Sequence, residues 1–135
     1  VKPFFFTYSS GLLPSKYVIN LKDMGDGSYE AADYLNHLTN AQKLLIWSDK
    51  GAVCESFVGK CVISLNAKDW RDNKFDYFVS SSGRKSKSMK TKSSIKKTVD
   101  FEKLYSPDFY DYKVKLDGRE NNFVKVMKGK DIYMK

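Results

Sequence analysis

Seven cationic side chains and no carboxylate fall between Ser80 and Thr98, in the run SSSGRKSKSMKTKSSIKKT. They are Arg84, Lys85, Lys87, Lys90, Lys92, Lys96 and Lys97. The chemistry open to such a tract is electrostatic. Each Lys or Arg that neutralises a phosphate releases condensed counterions, and that gain needs no base contact. The interspersed Ser and Thr hydroxyls can donate to phosphate oxygens. Gly83 and the flanking serines suit a loop that follows a backbone better than a helix laid in a groove. The charge is also local. Of a formal +8, residues 1–79 contribute nothing, with nine cations against nine anions, and residues 99–135 add one. An anionic partner is therefore expected at one element and not over a broadly basic surface.

Aromatic residues flank the tract. Trp70, Tyr77 and Phe78 precede it, and Tyr105, Phe109, Tyr110 and Tyr112 follow. Exposed rings of this kind stack unpaired bases, at about 1–3 kcal/mol per base. Tyr77 is the expected stacking residue beside the tract. Lys113, Lys115 and Arg119, in the segment after it, are expected to orient the strand. Most of these aromatics must also build the core, and no RNP1-type octamer marks an RNA-recognition domain.

Catalytic constellations are sparse. His37 is the only histidine, so any histidine acid–base chemistry falls to it. Asp33 four residues before it and Asn40 three after make it a polar helix position, and a surface histidine is the simpler reading. One His and two Cys make no zinc site. The pairs Asp23/Asp26, Asp69/Asp72 and Asp108/Asp111 resemble ordinary turn carboxylates, although a two-metal nuclease would draw on such residues. No phosphate-binding P-loop, dinucleotide fingerprint or nucleophile elbow occurs. No cofactor is expected.

Cys54 and Cys61 are too few for a disulfide scaffold. Free, partly buried thiols are expected, although a hairpin over residues 55–60 would let them bridge. No N-glycosylation sequon occurs, and the opening VKPFFFTYSSGLLP reads as a strand rather than a leader. An intracellular setting, cytoplasmic or nuclear, follows. No apolar run reaches the roughly 18–20 residues a membrane helix needs.

The elements that must position these groups are short. Strands are expected at Phe4–Tyr8 and Lys16–Lys22. A helix over Ser28–Thr39 follows, capped by Ser28, with Tyr29, Ala31, Ala32, Leu35 and Leu38 at helical spacing. Lys43–Trp47 reads as a buried strand. Ala52–Val58 and Lys60–Leu65 read as a hairpin about Gly59. Trp70 and the alternation Phe75–Val79 suggest a strand entering the tract. A short helix over Val99–Tyr105 is capped by Asp100 and stopped at Ser106-Pro107. Asp117-Gly118 then joins Phe109–Leu116 to Arg119–Met127 as a hairpin with a type I′ turn, and Ile132–Met134 adds a last strand.

The sum is one α+β domain over residues 1–135, with a basic loop at 80–98. Its sheet is expected to be mostly antiparallel, with six to eight short strands and one or two helices. The expected function is non-enzymatic binding of nucleic acid, RNA or single strands preferred. A small ribonuclease, or a domain that binds an acidic protein or a membrane surface, is the alternative.

Overall fold

The computed structural model describes residues 27–63, 67–82, 98–116 and 119–135. The expected strands at Phe4–Tyr8 and Lys16–Lys22, the tract cations Arg84 to Lys97 and the Asp117-Gly118 turn lie outside the described residues.

Ala31, Ala32 and Leu35 form the buried stripe of α1, Ser28–Asn36. The cap falls one residue earlier than expected. Gly27, at φ 77°, takes the N-cap position, and Ser28 is buried inside the first turn. A positive φ of this size favours glycine, which carries no Cβ to clash. The helix stops at Asn36, and a 3-10 turn at Ala41–Lys43 leads into β1, Leu45–Ser48.

The next segment departs most from expectation. In place of a hairpin, Gly51–Ser56 form a helix, α2, and Lys60–Val62 form β2. The helix reverses the chain, so β2 runs parallel to β1. Ala67–Asp72 form a second short helix, α3, which takes in Trp70, a residue expected with the following strand. It delivers β3, Tyr77–Ser81, to the other side of β1, again parallel.

After the tract, Asp100 caps α4, Phe101–Tyr105, its carboxylate accepting from the Lys103 N–H at 3.1 Å. β4, Tyr112–Leu116, and β5, Arg119–Lys128, pair antiparallel, and β5 also pairs antiparallel with β3. Gly129–Ile132 form a final turn of helix, α5, where a strand was expected. Only a single bridge, Val99 to Tyr133, remains of strand pairing there. Gly129 lets this turn press on the sheet: a Cβ at that position would stand 1.9 Å from the Phe75 carbonyl oxygen.

The sheet order is β2-β1-β3-β5-β4. The fold is thus α+β, but its sheet is mixed and has five strands among the described residues, not six to eight mostly antiparallel ones. The reason is local. Helices of six residues are too short for a 3.6-residue period to stand out against alternation, so the first crossover reads as strand and the second gives no helix signal.

The two crossovers step in opposite directions, the first from β1 out to β2 and the second from β2 back across β1 to β3. Right-handed connections then require their helices to lie on opposite faces, and the packing shows it. On the front face, Val53 and Phe57 of the α2 region join Ala31, Ala32 and Leu35 of α1 over Ile46, Val79, Val124 and Val126. On the back face, Trp70 of α3 joins Phe101 and Leu104 of α4 and Ile132 of α5 over Trp47, Phe78 and Met127. Tyr34 of α1 stacks on Tyr112 of β4, rings 4.2 Å apart and parallel within 1°. Cys54 and Cys61 form a disulfide that ties the end of α2 to β2. This overturns the expectation of free thiols. The helical crossover, and not a hairpin loop, brings their Cα atoms to 5.2 Å.

Candidate nucleic-acid interface

Strand alternation decides what stands beside the tract. β3 extends further than the apolar pattern implied, so Ser80 and Ser81 are buried sheet residues and not loop. Ser82 continues the ladder. Its N–H donates to the Phe123 carbonyl at 3.2 Å, and its Oγ accepts from the Phe123 N–H at 3.2 Å. The tract therefore begins after Ser82, at the carboxyl edge of the sheet.

Residues opposite one another in antiparallel strands share a face. Ser80 lies opposite Lys125, and Lys125 opposite Lys113. One step toward the carboxyl edge, Ser82 lies beside Phe123, and Phe123 opposite Lys115. Both rows face the back. Lys115 is thus two strands from Ser82, a span of about 10 Å. By register, Lys115 stands in the edge row beside Ser82 and Lys113 one row further in, both on the back face.

Lys113 is half-buried. Its Nζ donates to the Pro107 carbonyl at 2.9 Å and stands 5.0 Å from the Phe123 ring centroid and 5.4 Å from that of Tyr110. Tyr110 is 48% exposed. Lys115 is exposed. Arg119 opens β5 through its backbone.

Other expected site residues sit elsewhere. Tyr77 starts β3 at the far end of the strand from Ser82 and packs on the front-face core. Burial raises its pKa, with Lys128 acting in the opposite direction. His37 caps the C-terminus of α1 and is well exposed. Its Nδ1 lies 2.7 Å from the Asp33 carbonyl and 3.6 Å from the Asp33 carboxylate. Trp70 and Phe78 are fully buried. No group of three metal-ligating side chains converges among the described residues.

Two features escaped the sequence reading. Lys125 is 0% exposed in the centre of the sheet. Its Nζ donates to three carbonyls of the segment that crosses the back face: Lys103 at 2.9 Å, Ser106 at 2.5 Å and Phe109 at 2.7 Å. Burial, with the Lys113 charge, pulls its pKa down to about 7, partly countered by Asp108. The signal lies in the alternation of the strand, once both faces of the sheet are known to be covered. Phe123, Lys125 and Met127 share a face by alternation, and a lysine between two core residues on one face is out of place. The second feature is Asp49, buried after β1. Its carboxylate accepts from the Ser81 N–H at 2.9 Å and from the Ser81 Oγ at 3.1 Å, so it prolongs the β1–β3 pairing beyond the end of β1. Burial, and secondarily the Asp49 charge, hold the Tyr105 phenol far above its ordinary range.

A groove of about 790 Å³ runs along α4, lined by Asp100, Phe101, Glu102, Tyr105 and Met134 among others. Two carboxylates line it, of which Asp100 stands 3.9 Å from the Lys103 ammonium. No helix among the described residues is long and apolar enough to cross a membrane. No protein-family model, curated protein or solved structure matches the chain.

Proposed function

We propose that the chain is a nucleic-acid-binding module without catalytic chemistry of its own, directed at RNA or single strands. The tract of seven cations supplies affinity for the phosphate backbone, and Lys113 and Lys115 extend that cationic track across the hairpin. One observation supports the reading: Ser82, the last described residue before the tract cations, lies beside Phe123, which is paired with Lys115, with Lys113 one row further in. The ribonuclease alternative would draw on His37, which lies against Asp33 at the end of α1, or on a metal held by paired carboxylates. An acidic protein partner would use the same cations.

The intracellular setting expected from the sequence has one observation against it. Disulfides persist in oxidising compartments and are reduced in the cytosol. With Cys54 bonded to Cys61, we infer that the chain works in an oxidising compartment.

Salt titration tests the binding. Affinity for a labelled single-stranded RNA is expected to fall steeply with salt. Replacing Lys85, Lys87, Lys90 and Lys92 by Ala is expected to flatten the log–log slope by about 0.7 for each phosphate no longer neutralised. Absence of binding by the wild-type chain at low salt overturns the proposal. Binding to an acidic polypeptide but not to RNA establishes the protein-partner alternative.

A further inference from the structure

Resting on that reading, we propose that Tyr110 is the base-stacking residue of the interface and gives the chain its preference for unpaired strands. Phosphate contacts alone do not separate single strands from duplexes. A ring that takes an unpaired base does, because a duplex keeps its bases stacked on each other.

The structure selects Tyr110 from the aromatics around the tract. Trp70 and Phe78 are core residues, and Tyr105 packs against the back-face core with Phe109. Tyr77 and Tyr112 pack on the front face. Of the described residues, two tyrosines are prominently exposed, Tyr29 at 60% and Tyr110 at 48%. Tyr29 belongs to α1, on the front face. Tyr110 stands against Lys113, whose ammonium lies 5.4 Å from its ring centroid and 5.0 Å from that of Phe123, the residue beside Ser82.

The backbone that carries the ring is also held in place. Phe109, before it, has its carbonyl bound by the buried Lys125 ammonium at 2.7 Å. Asp111, after it, donates its N–H to the Val126 carbonyl at 2.9 Å, and its carboxylate accepts from the Lys128 N–H at 2.8 Å. Both neighbours are thus pinned to β5, while the side chain between them is 48% exposed. A backbone anchored on both sides of the ring leaves less conformational entropy to lose when a base stacks on it. Lys113 beside the ring adds a cation for the adjoining phosphate. Exposed aromatic area fixed next to a cation is what a single-strand binder needs. Folding alone would not require that area to stay exposed.

The test uses a fluorescein-labelled 20-nucleotide single-stranded RNA and a blunt duplex of the same sequence, with the full chain as wild type, Tyr110→Ala and Tyr110→Phe. Tyr110→Ala is expected to weaken single-strand binding by about 5- to 100-fold. It should leave the salt slope unchanged and shift duplex binding by less than about twofold. Tyr110→Phe, which keeps the ring, is expected to restore at least half of the missing binding free energy. Unchanged thermal melting of both variants shows that the exposed position leaves the fold intact. Single-strand affinity equal to wild type in Tyr110→Ala, or an equal loss on duplex, overturns the stacking role while leaving the tract reading standing. Wild-type protein that binds neither RNA at low salt overturns both.

Discussion

Lys125 shows what a single residue can set. A lysine with three donors meets three carbonyls, a match that makes burial tolerable. The same burial works against its charge, and the pKa falls to about 7 from an ordinary 10.5. The unfolded chain therefore holds a proton between pH 7 and about 10.5 that the folded chain has released, so this group makes stability rise with pH through that window. Below pH 7 both states are protonated and the destabilisation is fully present. The limiting slope is about 1.4 kcal/mol per pH unit. Urea unfolding of wild type and Lys125→Met at several values from pH 6 to 9.5 isolates the contribution, because the other titrating groups cancel in the difference. Wild type is expected to gain on the variant as pH rises through 7 to 9. Parallel curves would mean that the carbonyl cage keeps the ammonium charged throughout. The sequence shows this residue only to a reader who already knows that both faces of the sheet are covered. With one face assumed wet, a lysine in an alternating strand goes to the water side by default. Tyr110 was hidden for the converse reason. Composition offers seven aromatics around the tract, and only packing reveals which one stays exposed.

At the scale of elements, legibility followed the strength of the local signal. α1, α4 and the β4–β5 hairpin each announce themselves through spacing, an Asp cap or an Asp-Gly turn, and each forms close to where it was expected. The β1-α2-β2-α3-β3 unit does not. Its strands are three to five residues long and its helices six, so what makes them helix or strand is tertiary packing rather than periodicity. The disulfide belongs to this unit, since it closes the short crossover from α2 into β2. A loop of seven residues' separation gives about 2 kcal/mol by chain-entropy arguments. Reduction, or Cys54→Ser with Cys61→Ser, is expected to lower stability by about that amount, read as a drop in melting temperature of several degrees. Alkylating the protein as extracted from its source, before reduction, should leave both cysteines unmodified. Two alkylated thiols would place the chain in a reducing compartment and return the localisation to the intracellular reading.

The whole molecule separates two tasks. The described core is held by two apolar clusters, one on each face of the sheet, and by buried polar links such as Asp49 to Ser81 and Ser80 Oγ to the Leu104 carbonyl at 2.6 Å. None of these links involves a tract cation. Outside the tract the charge nearly balances, so the excess that an anionic partner would meet is concentrated where the chain leaves β3. Ser82 belongs to the core side of that division, because it pairs with Phe123 at both its N–H and its Oγ, and a clean cut starts at residue 83. Replacing all seven tract cations by glutamine takes the formal charge from +8 to +1 and keeps the chain length, so no strand end is pulled. The melting temperature of this variant is expected to stay within about 5 °C of wild type, because seven changes of at most about 0.5 kcal/mol each, of either sign, partly cancel. Its RNA affinity at low salt should fall at least tenfold. The Tyr110 contribution should persist, since removing the ring from the glutamine variant is expected to cost the same factor as removing it from wild type. Equal factors mean two independent contacts with the same strand. A ring effect that vanishes along with the charges would mean that the tract delivers the strand to Tyr110, and that the two act as one site.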